Sequence, residues 1–184
     1  MNIVNYEKYM EAEILMGPNS ARILEELLAK DPLQLSSEKK VLDLGCGKGL
    51  TRISSAYWSV LIPIIILQRK RAFLKKILPF LCDNAAVLIG IPGIKDEYAG
   101  RSEELLPEWL GNEAYMFKSP MEWKEIIGRH ERIEKIETWE MGCFDLAWNE
   151  WLATENQYAS GDKRFYETII KPYTCFVGIY VKIK

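Results

Sequence analysis

The chain has 184 residues, and 48% of them are hydrophobic, which is ample for the core of one domain. Its formal net charge of −2 at pH 7 gives the chain as a whole no electrostatic attraction for nucleic acid. The composition favours one globular domain and excludes nucleic acid as an electrostatically recruited partner.

The cysteines and the histidine argue against a metal site. Four cysteines are scattered without metal-ligand spacing, and there is one histidine. These residues are Cys46, Cys82, Cys143, Cys175 and His130. Free thiols in a cytoplasmic protein account for them most simply. The first ten residues have no apolar run, so we expect no signal peptide, and we also expect no integral membrane segment.

The N-terminal part of the sequence predicts a helical cap, which we assign to residues 1–38. Residues 1–16 mix apolar and charged side chains, and Gly17–Ser20 is a break followed by a helix start, with Asn19 or Ser20 as N-cap. Apolar residues then recur at helical spacing up to about Lys30, with Glu25 and Glu26 on the outward side. The apolar residues are Ala21, Leu24, Leu27 and Leu28.

A glycine-rich turn follows this cap. Val41 and Leu42 belong to a short buried strand, expected at about Lys40–Leu44, and helical spacing resumes at Leu50. Between them lie three glycines at alternate positions, Gly45, Gly47 and Gly49. A strand, a turn tight enough to need glycine and the free N–H groups of a helix N-terminus together make a nucleotide-sized site. The glycine spacing fits neither the dinucleotide fingerprint nor the P-loop.

The stretch Val41–Gly49, VLDLGCGKG, closely resembles the first motif of class I S-adenosylmethionine-dependent methyltransferases, V-L-D-L-G-C-G-x-G, and matches all eight of its fixed letters. The resemblance implies an α/β fold with a three-layer Rossmann-like sheet, S-adenosylmethionine as cofactor and a small-molecule methyl acceptor. It implies that the methionine part of the cofactor lies over the turn. The cofactor-binding residues would be Asp43, Gly45, Cys46, Gly47 and Gly49.

The chain departs from this family directly after the motif. The fold requires a second strand that ends in Asp or Glu about 20 residues past the glycines, because that carboxylate holds the ribose hydroxyls. No Asp or Glu occurs between Asp43 and Asp83. We therefore expect an incomplete sheet that lacks the second and third strands, within a core spanning residues 39–184.

The apolar run Tyr57–Leu67, with the basic stretch Gln68–Arg71 after it, stands where those strands should be. It is about half the length needed to cross a bilayer, and it fits either a buried strand or an interfacial segment with a basic flank. A third interpretation is a frame-shifted segment. With permitted codons, Val60–Lys70 read from the third base gives V-D-S-Y-Y-Y-F-A-T-E, which resembles the fourth strand and following loop of these methyltransferases. Val60–Leu67 would then lie next to the first strand.

The second half of the chain predicts alternating helices and strands. Ala85–Ile91 is typical of a buried parallel strand, and we expect it in the same sheet as the first strand and parallel to it. Ile133–Met141 and Tyr173–Ile183 predict an antiparallel edge pair. Alternation along the second of these strands predicts one face with Phe176, Gly178, Tyr180 and Lys182 and another with Val177, Ile179, Val181 and Ile183. Ser119–Glu122 predicts a helix start with a capping box, and Phe144–Tyr158 predicts a further helix. The apolar face of that further helix would consist of Leu146, Ala147, Trp148, Trp151 and Leu152.

Catalytic residues do not follow from the sequence. Methyl transfer needs mainly proximity and in-line orientation, because the sulfonium already activates the methyl group. Four aromatic residues fit either a substrate pocket or, as we favour, the core: Trp139, Trp148, Trp151 and Tyr158. His130 fits a solvated loop, and the basic group Arg69–Lys76 fits a solvated helix end or a phosphate or membrane-surface contact.

The sequence thus predicts a single methyltransferase-like domain over residues 1–184 that transfers a methyl group to a small molecule and is impaired by an internal deletion. The alternative is a non-catalytic remnant or binding protein without cofactor affinity. We expect weak or absent cofactor binding, with Asp96 and Glu97 as the first candidates for a substitute carboxylate.

The frame-shift hypothesis predicts the coding DNA. Codons 60–70, read from the third base, should encode the acidic, tyrosine-rich peptide given above, with the family's frame restored by about Ala72–Lys76. Sequencing the gene checks this, and codons that cannot yield that peptide would rule the hypothesis out.

Overall fold

The computed structural model of the chain describes residues 15, 17–30, 42–43, 60–61 and 77–184. Its helices and strands are α1 (Ser20–Lys30), β1 (Leu42–Asp43), β2 (Val60–Leu61), β3 (Ala86–Ile94), α2 (Ser102–Leu105), α3 (Pro107–Leu110), α4 (Pro120–Ile127), β4 (Ile133–Glu140), α5 (Phe144–Leu152), α6 (Gln157–Phe165), α7 (Lys171–Tyr173) and β5 (Thr174–Ile183). Short 3-10 segments lie at Leu78–Phe80, Asp96–Tyr98 and Gly111–Met116, and a π-helix lies at Tyr166–Ile170.

Three strands form an antiparallel sheet in the order β3-β5-β4. The ladder between β3 and β5 runs from Ala86 opposite Lys182 to Ile94 opposite Thr174. The ladder between β4 and β5 is equally continuous apart from an irregularity near the start of β4. The predicted antiparallel pairing of the last two strands is confirmed, with β4 at the edge of this sheet and β5 inside it.

The first strand lies in a separate pair. β1 is parallel to β2, with Leu42 opposite Val60 and Asp43 opposite Leu61, so the predicted neighbour of the first strand is confirmed at residues 60–61. β2 approaches β3 to within 8 Å between Cα atoms, yet the described hydrogen bonds do not join the two sheets. The expectation of one sheet holding both the first strand and the Ala85 strand is therefore wrong for the described residues. Pro63, just past β2, has no N–H to donate to a ladder.

Two helical layers enclose the three-stranded sheet. Because side chains alternate along a strand, one face of β3 and β5 carries Val87, Ile89 and Val177, which pack in one core with Trp123 and Ile127 of α4. The other face packs in a second core with α1, α5 and α6, through residues that include Leu27, Leu88, Trp148, Ala159 and Phe176. The predicted division of β5 into two faces is correct. The predicted three-layer α/β arrangement is present.

The start of α4 follows the predicted capping box. Ser119 Oγ accepts a hydrogen bond from the Glu122 backbone N–H at 3.3 Å, and the Glu122 carboxylate accepts one from the Ser119 N–H at 2.9 Å. Pro120 is the first helical residue, where its missing N–H has no cost. Local sequence therefore determines where this helix begins.

The predicted helix Phe144–Tyr158 is wrong as a single element. It divides into α5 and α6, and the Asn156 side chain caps α6 by accepting from the Tyr158 N–H at 3.0 Å. Thr154 Oγ1 donates to the Trp151 carbonyl at 2.8 Å and so closes the end of α5. Leu146, predicted on the apolar face, is 48% exposed. Polar side chains that bind nearby backbone groups interrupt the helical periodicity here.

Two glycines in register form a shallow trough on the sheet under α1. Gly90 of β3 lies opposite Gly178 of β5, which in turn lies opposite Trp139 of β4. A Cβ on Gly90 would collide with the Ile23 side chain of α1, and a Cβ on Gly178 would collide with the Trp139 ring. The absence of side chains at these two positions lets both the helix and the indole lie close to the sheet.

Substitution of Gly178 tests this packing. Gly178→Ala should lower the free energy of unfolding by about 1–3 kcal/mol, because the added methyl group overpacks against the Trp139 ring. The matched control is Gly161→Ala in α6, where no atom lies within 4 Å of the added Cβ and alanine favours the helix by about 0.5–1 kcal/mol. Urea denaturation measures the free energy of unfolding of both variants. Equal effects of the two substitutions would contradict the close packing of Trp139 against Gly178.

Candidate functional site

The end of β1 is the part of the predicted cofactor site that the structure describes. Asp43 is the last residue of β1 and pairs with Leu61 of β2. The other predicted cofactor-binding residues, Gly45, Cys46, Gly47 and Gly49, lie outside the described residues. A parallel strand pair thus stands where the motif requires a strand, and the assignment of these residues to the cofactor stays a prediction.

The turn after β3 carries the two carboxylates considered as substitutes. Asp96 donates its backbone N–H to Glu140 Oε1 at 2.8 Å, and its Oδ1 accepts the Met121 N–H at 2.9 Å. Asp96 therefore ties the end of β3 to β4 and α4, whereas Glu97 is exposed. Beside them, Lys95 Nζ donates to the carbonyls of Lys171 and Pro172 at 2.9 and 2.8 Å.

The Glu26 carboxylate fixes α1 to the opposite end of the chain. Its Oε1 accepts from Trp139 Nε1 and from the Gly142 N–H, both at 3.0 Å, and its Oε2 accepts from the Cys143 N–H at 2.8 Å. Glu26 was predicted on the outward side of the helix, and this was wrong. The partners lie at least 113 residues away along the chain, so helical periodicity carried no signal for them.

A second carboxylate joins the start of α1 to α5. Glu150 accepts two hydrogen bonds from Arg22, at 3.0 Å from Nε and 2.5 Å from a terminal nitrogen. It also accepts from Asn19 Nδ2 at 2.7 Å, while Asn19 Oδ1 caps α1 by accepting from the Ala21 N–H at 3.0 Å. Asn19 is thus one of the two predicted N-caps and is also a bridge between the two helices.

An aromatic cluster fills the space between α3, α5 and the π-helix. Trp148 of α5 lies at its centre, with ring centroids of Trp109, Phe144 and Tyr166 at 6.0, 6.1 and 5.8 Å. Further rings continue the cluster: Phe117 is 5.6 Å from Trp109, and Phe176 is 4.9 Å from Phe144. We call these six residues the ring cluster.

The indole N–H groups around this cluster differ in whether they have a hydrogen-bond acceptor. Asp162 of α6 accepts from Trp109 Nε1 at 3.2 Å and from Trp151 Nε1 at 3.0 Å. Trp148 is 3% exposed, and its Nε1 is buried without a hydrogen-bond partner. Tyr166 donates its hydroxyl to Asp145 at 3.2 Å. One buried donor at the centre of the cluster is therefore unsatisfied.

The four aromatic residues singled out from sequence have different environments. Trp148 and Trp151 are buried, as the core interpretation predicted, and Trp139 is half-buried over Gly178. Tyr158 is 62% exposed and belongs to neither a core nor a pocket wall among the described residues. The local sequence pattern contains no signal for the roles of Trp109 and Asp162, because their partners lie on other elements.

The titratable groups of this region are held in their neutral forms or used in structural bonds. Burial, with Asp145 nearby, raises the pKa of the Tyr166 phenol to about 12. Burial, with Glu26 beside it, raises the pKa of the Cys143 thiol to about 12, and burial also raises the pKa of Cys175. These groups are therefore poor bases and nucleophiles at neutral pH. His130 lies in the loop before β4, where its Nδ1 accepts from the Arg132 N–H at 3.2 Å.

The described residues contain neither a group of side chains placed to hold a metal ion nor a helix able to cross a membrane. Within residues 15, 17–30, 42–43, 60–61 and 77–184, no group of three or more His, Cys, Asp or Glu side chains is placed to hold a metal ion. In that same part of the chain, the helices are all too short or too polar to cross a membrane.

Several solved structures share this fold. Phosphoethanolamine N-methyltransferase 2 of Haemonchus contortus, in complex with S-adenosyl-L-methionine, is similar with a TM-score of 0.66 and 15% identity, covering 98% of this chain and 60% of that chain. Geranyl diphosphate methyltransferase in complex with GPP and sinefungin is similar with a TM-score of 0.60 and 10% identity, covering 89% of this chain and 77% of that chain. Coclaurine N-methyltransferase bound to N-methylheliamine and SAH is similar with a TM-score of 0.54 and 12% identity, covering 99% of this chain and 82% of that chain. Neither a protein-family model nor a curated protein matches the sequence.

The chain therefore has the fold of the class I S-adenosylmethionine-dependent methyltransferases. The described residues form one sheet of three strands and one of two, which is consistent with the expected incomplete sheet. At 10–15% identity, the similarity extends to the fold, and the chemistry of this chain has to be argued from its own residues.

Replacement of Glu26 tests its role in holding α1. Glu26→Gln should lower the free energy of unfolding by about 1–3 kcal/mol, because an amide cannot accept from all three donors and leaves a partly buried donor unpaired. Glu125→Gln is the matched control, since Glu125 is 73% exposed and its nearest contact to Arg129 is 4.0 Å, so its effect should stay within about 0.5 kcal/mol. Equal urea midpoints for the two variants would show that Glu26 is not a structural anchor.

Proposed function

We propose that this chain is an S-adenosylmethionine-dependent methyltransferase for a small-molecule acceptor, with a shortened cofactor half that binds the methyl donor weakly. The observation that carries the proposal is the arrangement of the strands. The strand of the glycine motif lies parallel to β2, and β2 neighbours β3, which continues into β5 and β4. These positions correspond to the first, fourth, fifth and last two strands of the methyltransferase sheet.

The described residues support an organised arrangement of the half of the domain that would hold the methyl acceptor, which we call the acceptor half. The carboxylates of Glu26 and Glu150 bind α1 to the loop after β4 and to α5, and Asp162 binds α3 to α5 and α6. In this fold, ligands bind at the carboxyl ends of the parallel strands, and neighbouring helices cover the acceptor. A small molecule held there needs only correct placement against the sulfonium methyl group, so the lack of a nucleophile–base pair is no obstacle.

The part of the sequence around the glycine motif, which we call the cofactor half, supports weak binding of S-adenosylmethionine. Asp43, Gly45, Cys46, Gly47 and Gly49 reach only the methionine part of S-adenosylmethionine, and no Asp or Glu lies between Asp43 and Asp83 to hold the ribose. Each charge-assisted hydrogen bond lost costs about 1.5–3 kcal/mol. Loss of two such bonds weakens binding by hundreds to thousands of fold, on the order given by about 1.4 kcal/mol for each factor of ten.

A second candidate is a binding protein that keeps the acceptor half and no longer binds the cofactor. The absence of acidic residues from positions 44–82 favours it, because Asp96, one of the two substitute carboxylates, is already bonded to the Met121 N–H. The two candidates differ in one measurable property, which is affinity for the cofactor or its product.

Titration calorimetry with S-adenosylhomocysteine on the 184-residue protein is the deciding measurement. We expect weak binding that is lost in Gly47→Val, since a side chain at that position would occupy the space of the methionine part. The matched control is Gly161→Ala in α6, far along the chain from the motif, where the added Cβ meets no atom within 4 Å, and it should leave the affinity unchanged. Binding that is undetectable in the wild-type protein would favour the second candidate.

Micromolar affinity in the wild-type protein would contradict the expected loss of ribose binding. Glu97→Gln then identifies the substitute carboxylate, because Glu97 is exposed on the turn after β3. Restoring the missing block between residues 56 and 72 should strengthen binding in either case. An unchanged affinity of the restored protein would show that the missing strands are not the cause.

A further inference from the structure

Trp148 is one of two buried indoles among the described residues whose N–H has no hydrogen-bond partner, and the other is Trp123. The Trp148 side chain is 3% exposed. Buried donors in proteins are nearly always satisfied, and an exception points to a missing acceptor. Trp109 and Trp151, in the same region, both donate to Asp162. Of the three indoles in this region, Trp148 is therefore the one without an acceptor, whereas Trp123 belongs to the core on the other face of the sheet.

The surroundings of Trp148 define what could supply that acceptor. The rings of Trp109, Phe144 and Tyr166 lie about it with centroids at 5.8–6.1 Å. Indole nitrogen only donates, so the missing partner has a lone pair to offer. Aromatic rings on three sides favour a flat apolar body, since offset and edge-to-face contacts stabilise such pairs.

The charges beside the ring cluster favour a neutral ligand. Asp145 accepts from the Tyr166 hydroxyl and Asp162 from two indoles. Lys171 lies 5.8 Å from the centroid of the Tyr166 ring. In the part of the chain that the structure describes, Asp145, Asp162 and Lys171 therefore already contact aromatic side chains of this cluster, and they are of both signs. Neither a cation nor an anion is selected by them.

The backbone next to the cluster is also unusual. Tyr166 begins the π-helix Tyr166–Ile170, and π-helical turns are rare and often lie at functional sites. Trp109 and Phe144 are only half-buried, whereas Tyr166 and Phe176 are buried. Access of a ligand to Trp148 Nε1 requires the half-buried side chain of Trp109 or Phe144 to change rotamer, and for Trp109 this breaks its hydrogen bond to Asp162.

We infer that Trp148 is the hydrogen-bonding anchor of a small-molecule site in the ring cluster, and that its ligand is flat, largely apolar and uncharged, with one oxygen or nitrogen that accepts the indole N–H. Identification of this ligand as the methyl acceptor rests on the proposed function. The binding itself does not, because none of the residues that form the site belongs to the glycine motif.

Quinoline and naphthalene are the probes that test this inference. They have nearly the same shape, and quinoline alone carries a hydrogen-bond acceptor. In mildly alkaline buffer, where quinoline is uncharged, the protein should bind quinoline about two- to twelvefold more tightly than naphthalene, as one neutral hydrogen bond provides. Tryptophan fluorescence titration measures both affinities in the absence of cofactor.

Two substitutions locate the preference. Trp148→Phe keeps an aromatic ring and removes the donor, so the preference for quinoline should disappear. Trp151→Phe is the matched control, because its N–H already has Asp162 as a partner, and the preference should remain. Preference that survives in Trp148→Phe, or no binding of either probe, would overturn the inference.

A measurement on the wild-type protein guards against a variant that does not fold. The chain has six tryptophans, and in ¹H–¹⁵N spectra one indole N–H resonance should move further downfield at saturation with quinoline than with naphthalene, because only quinoline accepts its proton. No selective shift means that the Trp148 N–H faces a ring, and the inference is then wrong. This result is independent of S-adenosylhomocysteine binding, so failure of the proposed function and failure of the ring-cluster site are distinguishable.

Discussion

The close approach of α1 to the sheet is the constraint on which the rest of this structure depends. Gly90 has no side chain to hold the helix away, Gly178 leaves room for the Trp139 ring, and the Glu26 carboxylate secures the helix to Trp139 and to the backbone before α5. The same helix covers the core that contains the centre of the ring cluster.

Carboxylates join α1, α3, α5 and α6 in addition to the apolar core that these helices share. Glu26, Glu150 and Asp162 each accept hydrogen bonds from two or more residues. Charge-assisted bonds of this kind are directional, so they set the relative orientation of helices that apolar packing alone would leave less defined. The acceptor half is therefore organised by contacts that do not involve the cofactor motif.

The two halves of the site consequently differ in completeness. The described C-terminal half has a three-stranded sheet and three apolar clusters of buried residues, whereas positions 44–82 contain no acidic residue. A methyltransferase with weak cofactor binding and a binding protein without it are the two functions that fit this asymmetry. The unsatisfied indole of Trp148 belongs to the more complete half, which makes that half the place to look for a ligand.

The sequence by itself determined the features that depend on neighbours along the chain. The glycine motif indicated the fold, Ser119 and Glu122 marked the start of α4, and alternation along β5 separated two buried faces, because each pattern spans only a few residues. Only the tertiary structure decided that Glu26 points inward and that the described strands fall into two sheets. Those outcomes depend on groups brought together from distant positions, such as Glu26 and Trp139, which are 113 residues apart, and periodicity within one segment contains no information about them.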